Sequence, residues 1–270
     1  TARPRRPPRY LSPMFPYRDD NPTLRTPAFT YLLIGLNVAA WVLVQGMGAE
    51  PYLSKSVCEL GLIPGEFLGR LPPNYSIPMS DTLTCVMDER REWYAPVTSM
   101  FLHGGWLHLI GNMWFLWLFG NNVEDSMGHA RYLTFYLLCG LAAAATQTFM
   151  NPNSAIPMVG ASGAISGVMG AYIVLYPRVR VHMLVILGFF ITRIAVPAFL
   201  MLGYWFLLQI LGGLPGLGQE EGGGVAFWAH AGGFIAGAVL VSVFKNPELV
   251  AKHRALARTM EHGLVYRERY

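Results

Sequence analysis

Residues 160–170 read Gly160-Ala161-Ser162-Gly163-Ala164-Ile165-Ser166-Gly167-Val168-Met169-Gly170 and carry the clearest structural signal in the chain. Every side chain in this run is small or apolar, and the glycines at 163, 167 and 170 share one face of a helix. Small residues at this spacing let two transmembrane helices approach closely. The run therefore predicts a buried membrane helix that packs tightly against a neighbouring helix.

The composition of the whole chain is that of a membrane protein. Of its 270 residues 53% are hydrophobic and 13% are charged, whereas a soluble domain has about 25% charged residues. The mean hydropathy is +0.35. These values exclude a disordered chain, a collagen-like repeat and an ordinary cytosolic enzyme. A membrane span needs about 20 apolar residues, and the uncharged stretches provide six: 28–46, 104–122, 132–150, 161–177, 194–212 and 225–244.

The expected fold class is therefore an all-α polytopic membrane protein built as a six-transmembrane-helix bundle. One more apolar run, Val181 to Ile191, is too short to cross a membrane at about 1.5 Å per residue. It is interpreted as an interfacial or re-entrant segment.

The distribution of charge predicts the orientation of these helices. Six basic residues precede the first span and six follow the last, whereas the loop 47–95 holds four basic and seven acidic residues. The positive-inside rule then predicts a cytosolic Pro/Arg-rich tail over 1–27, a membrane domain over 28–244 with 47–95 as an external loop, and a basic cytosolic tail over 245–270. The expected location is the plasma (inner) membrane, with membrane lipid as a partner and no nucleic acid.

Two of the three cysteines lie in the predicted external loop. Cys58 and Cys85 could form a disulfide there, because an oxidising compartment permits one. Spacing alone cannot prove a bridge, so two unrelated thiols are an equal alternative.

Few polar side chains lie inside the predicted spans, and each is a functional hypothesis because polar groups are costly in hydrocarbon. The candidates singled out among them are His108, Asn112, Ser162, Ser166 and His230. No Asp or Glu lies within a span, which excludes an aspartyl protease, and no H-E-x-x-H motif is present for a zinc protease. The set that remains is a nucleophile, a base and an amide donor, and no metal or cofactor is expected.

Two arguments bring these groups together. The run 160–170 and the sequence Gly233-x-x-x-Gly237 both have small-residue faces, so the fourth and sixth spans are expected to pack together. Ser162 and His230 also lie at the same depth, roughly 22 Å from the cytosolic boundary. His is the usual base for a serine nucleophile, so a Ser162–His230 dyad is predicted. The alternative is that the small residues serve packing alone and that the serine bonds to its own helix.

The developing oxyanion of such a reaction needs fixed hydrogen-bond donors. His108 and Asn112, four residues apart on the second span, and the backbone N–H of Ser162 are the candidates.

The sequence resembles the rhomboid intramembrane serine proteases over roughly 28–244. Three motifs in order carry the resemblance: His103-x-x-x-x-His108-x-x-x-Asn112, Gly160-Ala161-Ser162-Gly163 and Ala229-His230-x-x-Gly233-x-x-x-Gly237. The resemblance implies Ser162 as nucleophile, His230 as general base, and His108 and Asn112 in the oxyanion hole. It also implies a first loop that dips into the membrane, a gate made by the fifth helix and the loop before His230, and transmembrane proteins as substrates.

The chain departs from the family pattern at one position. Many relatives place an aromatic residue one turn after the nucleophile, against the catalytic imidazole, where this chain has Ser166. The residue that holds His230 is therefore open, with Phe227, Trp228 and Tyr172 as candidates, and Ser166 is a weaker alternative nucleophile. Among the other histidines, His103 is expected to be structural, His182 to lie at the membrane interface, and three to have no role: His129, His253 and His262.

Three functions are compatible with these residues. The first is an intramembrane serine endopeptidase. The second is a non-catalytic protein of the same fold that binds membrane clients, which the presence of both Ser162 and His230 disfavours. The third is a small-solute channel lined by polar groups, which the tight helix packing disfavours.

Overall fold

A computed structural model of the chain describes residues 14–72, 74–81, 83–87, 92–187, 190–214 and 226–261, and these residues are mostly helical. The helices, in chain order, are α1 (Ala28–Leu43), α2 (Tyr52–Leu60), α3 (Pro64–Phe67), α4 (Ala95–Thr98), α5 (Trp106–Met127), α6 (His129–Met150), α7 (Ser162–Leu175), α8 (Ala198–Gly213), α9 (Phe227–Phe244) and α10 (Pro247–Glu261). Short 3-10 turns lie at Gly46–Gly48 and Ser99–Phe101. The strands are β1 (Met14–Asp19), β2 (Ser76–Pro78), β3 (Thr84–Val86), β4 (Arg180–Leu187) and β5 (Phe190–Pro197).

Each predicted span corresponds to a helix: α1, α5, α6, α7, α8 and α9. Two of them, α6 and α9, are long and apolar enough to cross a membrane by length and composition. Three more, α1, α7 and α8, are apolar but have 14 to 16 residues. The predicted helices are therefore present in the structure.

Helix α7 lies at the centre of the bundle, where it packs against α5, α6 and α9. Its contact with α9 is close enough to exclude any side chain at the crossing. A Cβ on Gly233 would collide with the carbonyl oxygen of Gly163, and one on Gly170 would collide with that of Phe234. The predicted pairing of the fourth and sixth spans through their small residues is confirmed.

The predicted fold class is confirmed in part: the described residues are mostly helical, but they also form two antiparallel sheets. The larger sheet has the order β1-β4-β5, and the smaller one pairs β2 with β3. The run Val181 to Ile191, interpreted as interfacial or re-entrant, is mainly strand β4. Its side chains at 181, 183 and 185 are buried while Arg180 is exposed, which is the two-residue alternation of a strand.

The fifth span also begins later than predicted. The structure continues β5 to Pro197 and starts α8 at Ala198, so residues 194–197 are strand and not helix. Pro197 lacks an N–H and suits the boundary before a first helical turn.

The segment before α1 is not a loose tail over its whole predicted length. Strand β1 pairs with β4, with Asp19 opposite Val181. Beyond β1 the backbone of Leu24 and Arg25 donates to the carboxylate of Asp125, at 2.6 and 3.2 Å. The described part of 1–27 is therefore bound to the bundle, and residues 1–13 lie outside the described residues.

The second span also extends past its predicted end at 122. The added residues include Glu124 and Asp125, whose side chains are buried. Glu124 in α5 is 1% exposed and accepts hydrogen bonds from the backbone N–H groups of Phe29 and Thr30 and from the Thr30 hydroxyl, at 3.0, 2.8 and 2.7 Å. The N–H groups in the first turn of a helix have no acceptor within that helix. The carboxylate of Glu124, which belongs to α5, therefore caps the N-terminus of α1.

The predicted basic tail 245–270 begins with helix α10, which packs on the end of α5. His253, expected to have no role, is 1% exposed in α10, and its Nε2 lies 2.8 Å from the carbonyl oxygen of Pro22. Burial lowers the pKa of His253 below its ordinary value. His262 lies outside the described residues.

Candidate active site

Ser162 is the first residue of α7 and lines a cavity of about 690 Å³. The turn before it is fixed by Gly160, which has a φ of 130° and donates its N–H to the carbonyl oxygen of Ser99 at 2.8 Å. A positive φ of this kind favours glycine. The Gly160-Ala161-Ser162 sequence therefore starts the helix with the serine hydroxyl facing the cavity.

His230 lies in the first turn of α9 and reaches the serine. Its Nε2 is 2.8 Å from the Oγ of Ser162, which is hydrogen-bond distance. The glycine contacts between α7 and α9 bring the two helices close enough for this bond. Gln147 of α6 helps fix the start of α9, because its Oε1 accepts the N–H of Ala229 at 3.1 Å.

Ser166 does not compete for the histidine. Its hydroxyl donates to the backbone carbonyl of Ser162, one turn earlier, at 2.6 Å, and the residue is fully buried. The geometry therefore pairs His230 with Ser162 and leaves Ser166 bonded to its own helix.

The other side of the His230 ring contacts helix α8. Its Nδ1 lies 2.8 Å from the Oε1 of Gln209, and its ring centroid lies 5.8 Å from that of Trp205. Gln209 and Trp205 are one turn apart in α8. They are the residues that hold His230 in this chain, where Ser166 cannot provide an aromatic contact. Both were missed by the sequence analysis, although Gln209 is the only amide or charged side chain in the apolar segment 198–213.

The three candidates from the sequence lie elsewhere. Phe227 packs against Gly212, and Trp228 packs against Gly213. The Tyr172 hydroxyl donates to Asp19 of β1 at 2.6 Å, and the tyrosine ring packs edge-on against Phe119. The open question of what holds His230 is therefore answered by Gln209 and Trp205, and not by these three candidates.

His108 and Asn112 line the same cavity from α5. The Nδ1 of His108 accepts the N–H of Gly104 at 3.2 Å, so the neutral imidazole carries its proton on Nε2. That Nε2 lies beside Gly160: a Cβ built there would be 2.8 Å from it and 3.5 Å from the Oγ of Ser162. The Nδ2 of Asn112 is buried and has no hydrogen-bond partner. Two donors thus lie in the cavity that holds the serine hydroxyl.

His103 lies behind this pair. It is fully buried, and its ring packs edge-on against His108 at a centroid distance of 5.1 Å. The backbone of His103 is held by Gln45, whose amide nitrogen donates to its carbonyl oxygen and whose amide oxygen accepts its N–H, both at 2.8 Å. This packing agrees with the structural role expected of His103.

The cavity wall is completed by loops. Leu62 and Met158 exchange two backbone hydrogen bonds, at 3.0 and 2.8 Å, which tie the loop after α2 to the loop before α7. The structure joins Cys58 to Cys85 in a disulfide, with a Cα–Cα distance of 5.6 Å, and so decides between the two alternatives that the sequence left open. The implied gate is described in α8 only, because residues 215–225 lie outside the described residues.

The remaining histidines lie away from the cavity. His182 in β4 contacts the carboxylate of Asp20 at 2.9 Å. His129 contacts Glu124 and stacks on Phe29. Within the described parts of the chain, no group of three or more His, Cys, Asp or Glu side chains could hold a metal ion.

Comparisons with known proteins agree with the motifs. A family model described as a rhomboid domain matches residues 90–246, which is more than half of the chain. The rhomboid protease GluP of Bacillus subtilis (strain 168) is 27% identical over 197 residues, or 73% of this chain and 34% of that protein. The putative rhomboid protease YdcA of the same organism is 35% identical over 82 residues, 30% of this chain and 41% of that protein.

A plant protein also matches a shorter part of the chain. Rhomboid-like protein 11, chloroplastic, of Arabidopsis thaliana is 40% identical over 75 residues, 28% of this chain and 26% of that protein. The chain therefore matches between about a quarter and two fifths of the length of these three relatives.

Proposed function

This chain belongs to the rhomboid family, whose members are integral membrane proteins, and we propose that it is an intramembrane serine endopeptidase. The observation that carries the proposal is the 2.8 Å contact between the Oγ of Ser162 and the Nε2 of His230, two residues that line one cavity. The protease names of two similar bacterial proteins support the same reaction class.

The reaction would follow the chemistry of an activated serine. The Oγ of Ser162 attacks the scissile carbonyl carbon while the Nε2 of His230 takes the hydroxyl proton. The carbonyl oxygen becomes an oxyanion, which the Nε2–H of His108, the Nδ2 of Asn112 and the backbone N–H of Ser162 stabilise. His230 returns the proton to the leaving amine, and the peptide carbonyl stays bound to Ser162 as an ester.

Water completes the cycle by the same steps. His230 takes a proton from a water molecule that attacks the ester carbonyl, and the second oxyanion meets the same donors. Collapse of this intermediate breaks the bond to Ser162, whose oxygen recovers the proton from His230. No metal or cofactor enters these steps.

The substrates are membrane-spanning proteins that can unwind near one end. An intact helix uses its carbonyl groups in internal hydrogen bonds, and side chains surround them. A segment with small residues at the cut and helix-destabilising residues beside it would expose a carbonyl carbon at lower cost. The partly apolar wall of the cavity, which includes Leu107, Phe115 and Met158, suits such a segment.

The proposed topology places α1, α5, α6, α7, α8 and α9 across the plasma (inner) membrane as a six-helix bundle. Both termini are cytosolic and the loop 47–95 is external. The support is the charge distribution, the apolar character of the helices and the disulfide between Cys58 and Cys85, since disulfides persist in oxidising compartments.

The proposal is tested with full-length protein in liposomes that also hold a single-span substrate. Cleavage by the wild type, together with fluorophosphonate labelling that requires both Ser162 and His230, is the expected result. A protein that binds the substrate but neither cleaves it nor takes up the probe would be a non-catalytic client-binding member of the family.

A further inference from the structure

Both ring nitrogens of His230 have a hydrogen-bond partner, and the partners come from different helices. The Nε2 lies 2.8 Å from Ser162 of α7, and the Nδ1 lies 2.8 Å from the Oε1 of Gln209 of α8. Gln209 is buried, with 9% of its surface exposed. The histidine is thus held between two helices in the wall of the cavity.

The amide of Gln209 has a defined direction. Its Nε2 donates to the backbone carbonyl of Trp205, one turn earlier, at 3.4 Å, so its Oε1 faces the histidine. An amide oxygen accepts hydrogen bonds and cannot donate them. The Nδ1 of His230 must therefore carry the ring proton, and the Nε2 is left with a lone pair. This is the one neutral tautomer that can accept a proton from the Ser162 hydroxyl.

Among the described residues, Gln209 is the side chain that bonds to the Nδ1 of His230. Of the side chains that line the cavity, the titratable ones are His108 and His230, and none is an Asp or Glu. A neutral amide also suits an apolar setting, because burying a carboxylate costs more than burying an amide. Trp205 adds a contact to the same ring, tilted by 39°, so α8 limits the movement of the imidazole in two directions.

We propose that Gln209 is a positioning residue that selects the reactive tautomer of His230, so that the site works as a Ser162–His230–Gln209 array. This inference rests on the proposed protease function. Because Gln209 lies on α8 and His230 on α9, the base is held only while these two helices stay in contact.

The test compares two substitutions at one position, in liposomes with a single-span substrate. Gln209→Leu keeps a similar size and removes the acceptor. We expect kcat to fall by about 10- to 100-fold, less than the loss of a general base can cost, with KM within about twofold. Gln209→Glu keeps an acceptor and adds a negative charge beside the imidazole. That charge favours the protonated ring, so the acid limb of the pH–rate profile should move to higher pH by about one unit.

Leu208→Ala is the matched control, because Leu208 is the neighbouring residue and is 39% exposed on the surface of α8. It should cleave at the wild-type rate with an unchanged acid limb. Melting temperatures of all variants identify losses that come from unfolding. If Gln209→Glu does not fold, Gln209→Leu tests the inference by itself: kcat should fall while KM stays nearly unchanged.

Two results would overturn the inference while the proposed function stands. One is a Gln209→Leu protein that cleaves as fast as the wild type. The other is a folded Gln209→Glu protein with the wild-type acid limb, which would reduce Gln209 to a packing role. A wild-type protein that neither cleaves nor labels at Ser162 would overturn the proposed function, and this inference with it.

Discussion

Gly237 of α9 lies so close to Gly167 of α7 that a Cβ on Gly237 would collide with the Gly167 carbonyl oxygen. The backbone of one helix therefore occupies the space that a side chain would need on the other. This contact lies seven residues after His230 in α9 and five residues after Ser162 in α7, and it sets the distance between the helices that carry those two residues.

Replacing Gly237 with Leu should abolish cleavage, although glycine has no functional group. The larger side chain must push α9 away from α7, and overpacking of this kind costs about 1–3 kcal/mol or more in stability. The measurement is substrate cleavage together with the melting temperature. Gly35→Ala is the control, because nothing lies within 4 Å of a Cβ at Gly35. Normal cleavage by Gly237→Leu would show that the helix contact does not set the site geometry.

Ser162→Ala should remove cleavage and fluorophosphonate labelling with little change in melting temperature, because only one hydroxyl is lost. Ser166→Ala should keep most of the activity, since the Ser166 hydroxyl bonds to the Ser162 carbonyl and not to His230. Both variants are assayed on one transmembrane substrate. Residual cleavage above a few per cent in Ser162→Ala would indicate another nucleophile.

His108→Gln should slow cleavage by up to about 10²–10³-fold, the cost of one lost oxyanion donor, and should leave the acid limb of the pH–rate profile in place. The reason is that the limb belongs to His230, which must be neutral to accept the serine proton, whereas His108 acts as a donor. Profiles of the wild type and the variant on one substrate test this. An acid limb that disappears in the variant would make His108 the titrating group.

Asp19 should give the stability of the protein an unusual dependence on pH. Burial raises the pKa of Asp19 to about 6, although the Tyr172 hydroxyl donates to it. The native state then holds this proton more tightly than the unfolded chain, whose Asp titrates near 3.9. The contribution of Asp19 to stability therefore falls as pH rises from about 4 to 6, and is constant above that range.

The measurement is the melting temperature between pH 4 and 7 for wild type and Asp19→Asn. The variant should gain stability relative to the wild type as pH rises through this window. Asp20 provides the contrast: burial raises its pKa, but hydrogen bonds from Arg18 and His182 outweigh this and lower it. Asp20→Asn should therefore lose stability relative to the wild type above about pH 4. Parallel curves for wild type and Asp19→Asn would contradict the assignment.

The sequence predicted the helices and their close contact better than the connections between them. Apolar runs and small-residue spacing are local patterns, so 160–170 and 233–237 could be read directly. Strand β4 could not be assigned, because its partner β1 lies more than 160 residues earlier and its apolar length alone fits several structures. The buried Glu124 was likewise missed, since the N–H groups that it caps belong to another helix.

The candidate site shows the same limit. Ser162, His230, His108 and Asn112 are recognisable because each is polar within an apolar run, and the structure brings all four to one cavity. Gln209 carried the same signal, but nothing local indicated that it faces a histidine 21 residues later. The direction of a side chain around a helix depends on packing with neighbours, which one sequence does not give.

The distance along the chain between Ser162 and His230 has a consequence for biosynthesis. These residues lie 68 positions apart, and two helices, α8 and α9, must be made and packed before they meet. Under the proposed mechanism, a nascent chain that has inserted α7 holds a serine with no base to activate it. A chain truncated before α9 would be equally inert, so proteolytic activity would begin only when the bundle is nearly complete.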